Sequence, residues 1–193
     1  CGPTSPSEER PCAETIIRRL AREAYRRPVT EEDLAGPMSF YDRGAEAESF
    51  EVGVRTALQA ILASPQFIFR LEEQPAGLRA GASYRLSDLD LASRLSLFLW
   101  AANPDDELLA LAAEGRLSDP GRLEQQVERM IEDPRSKSLA TRFAAQWLRL
   151  QDAEDNHPQP YLYPDFTGQL RDDLVRETQS FLDHLVREDR SLL

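Results

Sequence analysis

The stretch Arg85–Leu117 contains two helix starts, one helix stop and a nearly continuous apolar face. Ser87 and Asp90 are three residues apart, the spacing of a capping box, in which side-chain oxygens accept unpaired amide protons of the first helical turn. Apolar residues then recur at helical spacing, at Leu89, Ala92, Leu95 and Leu99, with Leu91, Leu97, Phe98 and Trp100 on the flanks. We therefore predict a helix whose last turns are apolar almost all round and deeply buried.

A second helix follows in the same stretch. Asn103 is a suitable N-cap and Pro104 a suitable first helical residue, and Gly115 is expected to end the helix in a left-handed conformation. The first turn carries three acidic residues, Asp105, Asp106 and Glu107. Acidic side chains complement the positive end of the helix dipole, so this position explains them without a bound cation.

Three further helices are predicted before this stretch. The first runs from about Glu8 or Pro11 to Arg27, the second begins at Thr30, has Asp33 three residues later and reaches about Gly44, and the third begins at Ser49. Ser64-Pro65 interrupts the third helix. For the short apolar segment that follows, QFIFRL at Gln66–Leu71, we prefer a helical extension to a short strand.

Two Asp-Pro pairs and one long loop organise the rest of the chain. Asp119-Pro120 and Asp133-Pro134 each place an acidic cap before a proline, which predicts two helix starts. Leu123, Val127, Met130 and Ile131 line the first of these helices, and Leu139, Phe143, Ala144, Trp147 and Leu148 line the second. The proline-rich loop Gln151–Asp165 leads to a final helix over about Phe166–Glu188. Its apolar stripe consists of Leu170, Leu174, Phe181, Leu182 and Leu185.

The absence of convincing strand alternation in the sequence predicts an all-α fold, an irregular multi-helix bundle of about eight helices with no substantial sheet. The Gly- and Ala-rich segment 74–83, QPAGLRAGAS, is the best linker candidate. We therefore predict an N-terminal three-helix domain at 1–73 and a C-terminal helical domain at 84–193. We expect this second domain to be truncated, because the chain stops just after a charged helix end with an apolar tail.

Composition and charge exclude some classes of protein. Of the 193 residues, 41% are apolar, which is enough to build a core. The net charge of -11 argues against binding to nucleic acids or anionic membranes, both of which require a basic surface. No apolar run approaches the roughly 18 to 20 residues that cross a bilayer, so we predict no transmembrane segment.

The sequence lacks the common catalytic and metal-binding motifs. Haem attachment needs Cys-x-x-Cys-His, which is absent, and di-iron carboxylate bundles need two Glu-x-x-His helices, whereas the sequence has this spacing only once, at Glu154 and His157 in the long loop. Gly-x-Ser-x-Gly and Gly-rich phosphate loops are also absent. Glu177, His184 and Glu188 share one helix face, which is typical of a solvated stripe. We predict no metal site and no cofactor site in this chain, and whether it is part of an enzyme stays open.

Aromatic residues provide the remaining candidates for a site. Trp100 and Trp147 lie on apolar helix faces, so we expect both in the core, with ligand stacking as the alternative. His157, Tyr161 and Tyr163 lie in the long loop, and long loops often carry function. A binding site at these three residues is one reading of the loop. The other is that the loop packs its aromatic rings onto the bundle.

Cys1 and Cys12 flank a turn-rich segment at the start of the first helix. A disulfide is possible, because a folded-back loop can bring the two Cα atoms within the required distance of roughly 4.4–6.8 Å. Two free thiols are a second possibility. A lipidated Cys1 that leaves Cys12 single is a third.

Four segments, which follow one another in this order along the chain, carry a family resemblance: CAETIIRRLAREAYRRPVTEEDL, ALQAILASPQFIFRLE, YRLSDLDLASRLSLFLWAANPDDELLALAAEGRL and MIEDPRSKSLATRFAAQWLRL. With these segments the chain resembles the paired domains of unknown function of large exported planctomycete-type proteins, found also in myxobacteria. Those proteins carry c-type cytochrome modules elsewhere in the same polypeptide. The first domain corresponds to about Cys12–Glu72, and the second starts at about Tyr84.

The resemblance implies an exported protein, periplasmic or at the cell surface, and this setting favours the disulfide between Cys1 and Cys12. It implies that any haem c lies outside this chain, and it implies other domains of the same polypeptide, including a c-type cytochrome, as partners. It supplies no catalytic residue. Our main hypothesis is therefore a non-catalytic scaffold or interaction region. The alternatives are the substrate-binding part of a periplasmic oxidoreductase that passes electrons to an attached cytochrome, and a surface lipoprotein module.

Overall fold

The computed structural model of the protein describes residues 1–70, 72, 74–79 and 81–191, and within these residues it contains helices and no strand. The α-helices are α1 (Pro6–Tyr25), α2 (Glu31–Ala47), α3 (Phe50–Leu62), α4 (Pro65–Ile68), α5 (Asp88–Leu99), α6 (Asp106–Ala113), α7 (Arg122–Glu132), α8 (Ala145–Trp147) and α9 (Gly168–Arg187). Pro134–Lys137 and Leu150–Asp155 are 3-10 helical, and Leu139–Ala144 is a π-helical turn that runs directly into α8. Seven of these α-helices have seven residues or more, and the continuous helical segment formed by Leu139–Ala144 and α8 is an eighth. The all-α prediction is confirmed.

The chain forms two compact units. The first consists of Cys1–Leu91 and Asp105–Arg116, and the second of Ala92–Pro104 and Leu117–Leu193. In space, therefore, the units do not divide at the sequence linker 74–83, because the segment that contains α6 belongs to the first unit. Five residues lie outside the described ranges: Leu71, Glu73, Ala80, Leu192 and Leu193. Leu71 belongs to the predicted QFIFRL segment, Glu73 to the end of the predicted first domain, and Ala80 to the predicted linker.

The first unit has a core of small and branched side chains from α1, α2 and α3. Its buried residues are Ala13, Ile17, Ala21, Ala24, Tyr25, Leu34, Met38, Tyr41, Ala57 and Ile61. Small residues at successive turns of α1 allow the neighbouring helices to approach closely. The Arg22 guanidinium also pairs with the Asp106 carboxylate at 2.8 Å, a contact between α1 and α6.

Glycines form the crossing between α2 and α3. A Cβ atom on Gly44 would lie 2.9 Å from the Gly53 Cα atom, and a Cβ atom on Gly53 would lie 2.7 Å from the Tyr41 ring and 2.8 Å from the Tyr41 carbonyl oxygen. Real Cβ atoms do not approach their neighbours this closely. Only glycine therefore fits at these two positions, and the two helices depend on it for their contact.

The cap predicted for α2 is present with both of its hydrogen bonds. The Asp33 amide donates to Thr30 Oγ1 at 3.3 Å, and the Thr30 amide donates to Asp33 Oδ2 at 2.9 Å. Arg27 adds two hydrogen bonds to the same carboxylate, at 2.7 and 2.8 Å. The hydrogen bonds from Arg27, and then those from Thr30, hold the pKa of Asp33 well below its usual range.

The second unit is built around Trp100, which is buried as predicted. Its indole Nε1–H donates to the Met130 carbonyl oxygen at 2.8 Å. The Arg135 guanidinium lies 3.5 Å from the centre of the indole ring. Asp133 holds this guanidinium with two hydrogen bonds, and these bonds lower the pKa of Asp133 to about 2. The buried tryptophan thus satisfies its only donor and carries a cation on its face.

Most of the predicted helix boundaries are confirmed to within a few residues. Ser87 caps α5 as expected, with the Asp90 amide donating to Ser87 Oγ at 3.1 Å and the Ser87 hydroxyl donating to Asp90 Oδ2 at 2.7 Å. Gly115 has a φ of 68° and follows α6 as predicted. The amides of Gly115 and Arg116 donate to the carbonyls of Ala112 and Leu111, which is the Schellman pattern.

Two predicted helix starts were wrong. Asp105, and not Asn103, caps α6, since its carboxylate accepts the Leu108 amide at 3.1 Å. Because the cap is Asp105, the helix begins at Asp106, and Pro104 lies outside the helix and does not open it. Asp119-Pro120 forms a turn, and α7 begins only at Arg122, after Gly121 in the left-handed region with a φ of 80°.

The apolar stripe predicted for the final helix does not lie in a buried core. The predicted stripe of α9 contains Leu170, Leu174 and Phe181, which are all exposed, and α9 has no buried residue. The sequence pattern identified an amphipathic helix correctly. It did not identify what the apolar face of α9 contacts, because the apolar pattern of one helix does not specify which element packs against it.

Candidate functional site

Three aromatic side chains form an exposed cluster on the second unit. Phe98, Phe143 and Trp147 expose 53%, 50% and 69% of their surface, and we call them the aromatic triad. The rings of Phe98 and Phe143 meet edge to face, with 5.3 Å between their centres. Those of Phe143 and Trp147 are stacked, with 6.4 Å between their centres. These are favourable aromatic geometries, so the rings support one another although they face solvent.

The triad is assembled from two neighbouring segments. Phe98 lies in the last turn of α5, and Phe143 and Trp147 lie four residues apart on the helical segment that contains α8. Ser138 connects the two segments, because its hydroxyl donates to the Leu99 carbonyl oxygen at 2.7 Å. Local hydrogen bonding and helical spacing thus fix the position of the three rings.

The π-helical turn explains why Trp147, Phe143 and Leu148 are not in the core as predicted. A π turn closes i→i+5 hydrogen bonds, so it contains more residues per turn than an α-helix and rotates the faces that follow. The buried residues of this segment are Ala140 and Ala144, while Trp147 and Leu148 are exposed. Phe98 was also predicted to be buried. An α-helical projection of this segment therefore misplaced Trp147 and Leu148, whereas Phe98 lies on α5 and the turn does not account for its exposure.

The triad contains no titratable group. Its chemistry is limited to apolar contact, stacking and, at the Trp147 ring edge, one N–H donor. Clustered exposed aromatic residues mark interaction surfaces, because they offer large contact areas with few side-chain torsions to fix. The triad is thus suited to binding rather than to proton transfer or nucleophilic attack.

The loop residues His157, Tyr161 and Tyr163 are all exposed to solvent. His157 Nδ1 lies 2.9 Å from the Asp155 carbonyl oxygen, a local contact within the loop. Tyr161 exposes 88% of its surface and Tyr163 exposes 60%, so neither ring packs onto the bundle. The loop is also shorter than predicted, since Leu150–Asp155 is 3-10 helical. The role of these residues as a binding loop stays a prediction.

The acidic residues near the start of α6 have structural partners. Asp105 caps the helix, and Asp106 pairs with Arg22. Among the residues that the structure describes, no group of three or more His, Cys, Asp or Glu side chains is arranged to hold a metal ion. These acidic residues therefore take part in capping and ion pairing.

Two shallow grooves lie beside α9. The larger, of about 420 Å³, has apolar contributions from Ala145, Leu150 and Val175 and polar ones from Gln146 and Arg171. The smaller, of about 220 Å³, lies between Lys137 and the C-terminal half of α9. Its residues include His184 and Glu188 of the predicted solvated stripe. Lys137 is the only lysine in the sequence, and that rarity is the signal that could have drawn attention to it.

Cys1 and Cys12 form a disulfide, with their Cα atoms 5.9 Å apart. The bond connects the N-terminus to the first half of α1, where Cys12 is buried. It uses the Cys1 sulfur, which is the atom that lipidation would modify.

Comparison with known proteins identifies two domain families. Residues 12–72 match PSD5, described as a protein of unknown function (DUF1595), and residues 86–193 match PSD4, described as a protein of unknown function (DUF1592). No curated protein and no solved structure matches the chain. None of the described helices is both long enough and apolar enough to span a membrane. The PSD4 match covers more than half of the chain. The chain therefore belongs to the PSD4 family of proteins of unknown function (DUF1592).

Proposed function

We propose that this chain is a non-catalytic interaction region of an exported multidomain protein and that the aromatic triad binds another domain of the same polypeptide. The single observation that carries the proposal is the ordered, solvent-exposed stacking of Phe98, Phe143 and Trp147. Water-exposed aromatic surface of this kind is unfavourable unless a partner covers it.

The charge of the chain defines the chemistry of the partner. The apolar triad would contact an apolar centre, and the net charge of -11 favours a partner with a basic rim around it. The resemblance to cytochrome-linked proteins suggests that a c-type cytochrome module is such a partner. In this proposal the haem belongs to that module, and this chain holds no cofactor of its own.

The proposed location is outside the cytoplasm, in the periplasm or at the cell surface. The disulfide between Cys1 and Cys12 supports it, because disulfides persist in oxidising compartments. The same disulfide argues against the lipoprotein alternative, since it occupies the sulfur of Cys1. The oxidoreductase alternative has less support than the interaction region, because His157, Tyr161 and Tyr163 are exposed to solvent rather than buried around a substrate.

A binding titration tests the proposal. The chain is titrated by calorimetry with the cytochrome-bearing part of the parent polypeptide, and the same is done for the Trp147→Ala and Phe98→Ala variants. Because aromatic residues at the centre of an interface are binding hot spots, each variant should bind at least about tenfold more weakly. Circular dichroism of each variant checks that the fold is intact.

Tyr161→Ala is the matched control. It removes an aromatic ring that is more exposed than any ring of the triad and lies on the same unit. Its affinity should stay within about twofold of that of the wild type, because most contacts outside a hot spot contribute little. Equal losses for Tyr161→Ala and Trp147→Ala, or no loss for any variant, would contradict the proposal.

A further inference from the structure

We infer that a cleft in the first unit binds a small, uncharged aromatic molecule that carries a hydroxyl or N–H donor. The cleft has a volume of about 400 Å³ and lies along α2, with further walls from the ends of α1 and α3 and from α4. This volume falls within the roughly 300 to 1,000 Å³ typical of small-molecule sites. The aromatic triad lies in the second unit, so the two sites share no residue and the cleft does not depend on the proposed function.

Gly36 is the residue that first points to a ligand. It lies in the interior of α2, where glycine weakens a helix relative to alanine. Gly44, in the same helix, is required by the close contact with α3, but a Cβ atom on Gly36 would have no atom of the described residues within 4 Å. Packing therefore does not account for Gly36. It lines the cleft, and a residue without a side chain allows a ligand to approach the backbone closely.

Glu32, Gly36 and Phe40 form one stripe of α2, because they follow one another at intervals of four residues. All three are exposed and line the cleft. Gly36 is thus flanked by a carboxylate on one side and by a phenyl ring on the other. The Cα atoms of Glu32 and Phe40 are about 12 Å apart along the helix, which leaves room for one aromatic ring over Gly36.

Apolar side chains form one wall of the cleft. Phe40 exposes 40% of its surface, and the Arg43 guanidinium lies over its ring, 4.3 Å from the ring centre. This cation covers one face of the ring and leaves the other face for a ligand. Tyr25, Pro37 and Ala60 complete the wall. Because flat rings pack favourably against aromatic side chains, the wall favours an aromatic ligand.

Hydrogen-bond acceptors at the start of α2 define the polar part of the ligand. The Glu32 carboxylate makes no hydrogen bond or ion pair within the part of the chain that the structure describes. Pro37 has no amide hydrogen, so the Asp33 carbonyl oxygen lacks the bond that the residue four positions later normally donates in a helix. Both acidic residues line the cleft. Carboxylate and carbonyl oxygens accept hydrogen bonds, so the matching ligand carries a donor.

The charges around the cleft favour an uncharged ligand. Glu32 and Asp33 line the cleft, and the Arg27 guanidinium pairs with Asp33 at 2.7 Å. Arg26 and Arg43 each contact another residue of the cleft wall. Carboxylates and guanidinium groups therefore both surround the cleft. A charged ligand of either sign would meet a like charge there, which is unfavourable.

Fluorine NMR tests this ligand class with three probes that share one fluorinated ring. Para-fluorophenol, fluorobenzene and para-fluorobenzoate are each titrated into the full chain, and the ¹⁹F shift is followed. Para-fluorophenol has a hydroxyl donor and should give a saturable shift. Fluorobenzene has no donor and para-fluorobenzoate is an anion, so each should bind about tenfold more weakly. Equal binding of the three probes would overturn the assigned ligand class.

Gly36→Ala and Gly168→Ala form the matched pair of variants. Both replace a helical glycine whose Cβ position has no described atom within 4 Å, but of the two only Gly36 lines the cleft. The added methyl group would take the place of the ligand ring, so Gly36→Ala should weaken para-fluorophenol binding about tenfold and Gly168→Ala less than about twofold. Gly36→Ala is also expected to stabilise the fold, so unfolding would not explain its loss of binding. Thermal melting of both variants checks this point.

Glu32→Gln tests the acceptor separately. It removes the charge of the carboxylate and keeps its size, so it should weaken para-fluorophenol binding about fivefold and leave the weaker binding of fluorobenzene unchanged. Unchanged para-fluorophenol binding by Gly36→Ala, or an equal loss for Gly168→Ala, would overturn the inference. A tenfold loss for Trp147→Ala would place the probe on the aromatic triad and would overturn it as well.

Discussion

The Asp33 carboxylate stabilises two structures at once, the start of α2 and the position of Arg27. It accepts hydrogen bonds from the Thr30 amide and hydroxyl and from two guanidinium nitrogens of Arg27. All of these groups lie within six residues of Asp33. For this reason the cap could be predicted from the sequence, since helix capping depends on neighbours along the chain.

The Asp33→Asn variant tests this carboxylate. The amide keeps the size of the side chain but loses the charge that binds Arg27, so the free energy of unfolding should fall by about 1 to 2 kcal/mol at pH 7. Urea denaturation measures it. Because folding lowers the pKa of Asp33, this contribution is complete above the unfolded pKa of about 4 and is lost as the pH falls further. The difference between wild type and variant should therefore shrink toward pH 2, and a difference that is the same at pH 7 and pH 2 would contradict the assignment.

Trp100 and Trp147 show the limit of prediction at the residue scale. Both lie on apolar faces in the sequence, but only Trp100 is buried, with 3% of its surface exposed against 69% for Trp147. The difference arises from contacts distant in sequence, such as the bond from Trp100 to the Met130 carbonyl, thirty residues away. Spacing along one helix does not contain that information.

Trp100→Phe and Trp147→Phe form a matched pair of variants. Trp100→Phe leaves the buried Met130 carbonyl without its donor and should lower the free energy of unfolding by about 1 to 3 kcal/mol. Trp147→Phe changes an exposed ring and should alter it by less than about 0.5 kcal/mol. Chemical denaturation followed by circular dichroism measures both. Similar losses for the two variants would show that Trp147 is also part of the core.

At the scale of elements, close packing of α2 on α3 depends on Gly44 and Gly53. The sequence placed both helices correctly, because their caps at Thr30 and Ser49 are local signals. It did not show that glycine is required in their interiors, where glycine normally weakens a helix. That requirement becomes visible only when the two backbones are placed against each other. The π-helical turn before α8 is a similar case, since it shifts a helix face without a sequence motif that announces it.

Gly53→Ala and Gly36→Ala test the crossing. A methyl group at Gly53 would overlap the Tyr41 ring and carbonyl, so Gly53→Ala should destabilise the protein by about 1 to 3 kcal/mol. Gly36 lies in the interior of α2 and has no atom within 4 Å of its Cβ position, so Gly36→Ala should stabilise by up to about 1 kcal/mol. Thermal melting distinguishes these opposite signs. A stable Gly53→Ala variant would contradict the close contact between the helices.

At the scale of the whole molecule, the all-α class followed from the many helix starts and the lack of strand alternation. The candidate site did not follow in the same way. Phe98, Phe143 and Trp147 resemble core residues in the sequence, because apolar residues at helical spacing are usually buried. Their exposure depends on which elements of the second unit pack together, and the sequence pattern of single helices does not specify this. The exposed triad is therefore the main functional feature that only the three-dimensional arrangement revealed.

Hydroxyl-radical footprinting of Trp147 tests the proposed interaction region most directly. The oxidation rate of this side chain is measured by mass spectrometry in the isolated chain and in the intact parent polypeptide, with Tyr161 as an internal reference. If another domain covers the triad, Trp147 should be oxidised several-fold more slowly in the parent polypeptide, while Tyr161 should change little. Equal oxidation of Trp147 in both samples would show that the triad stays exposed and would contradict its role as an interaction surface.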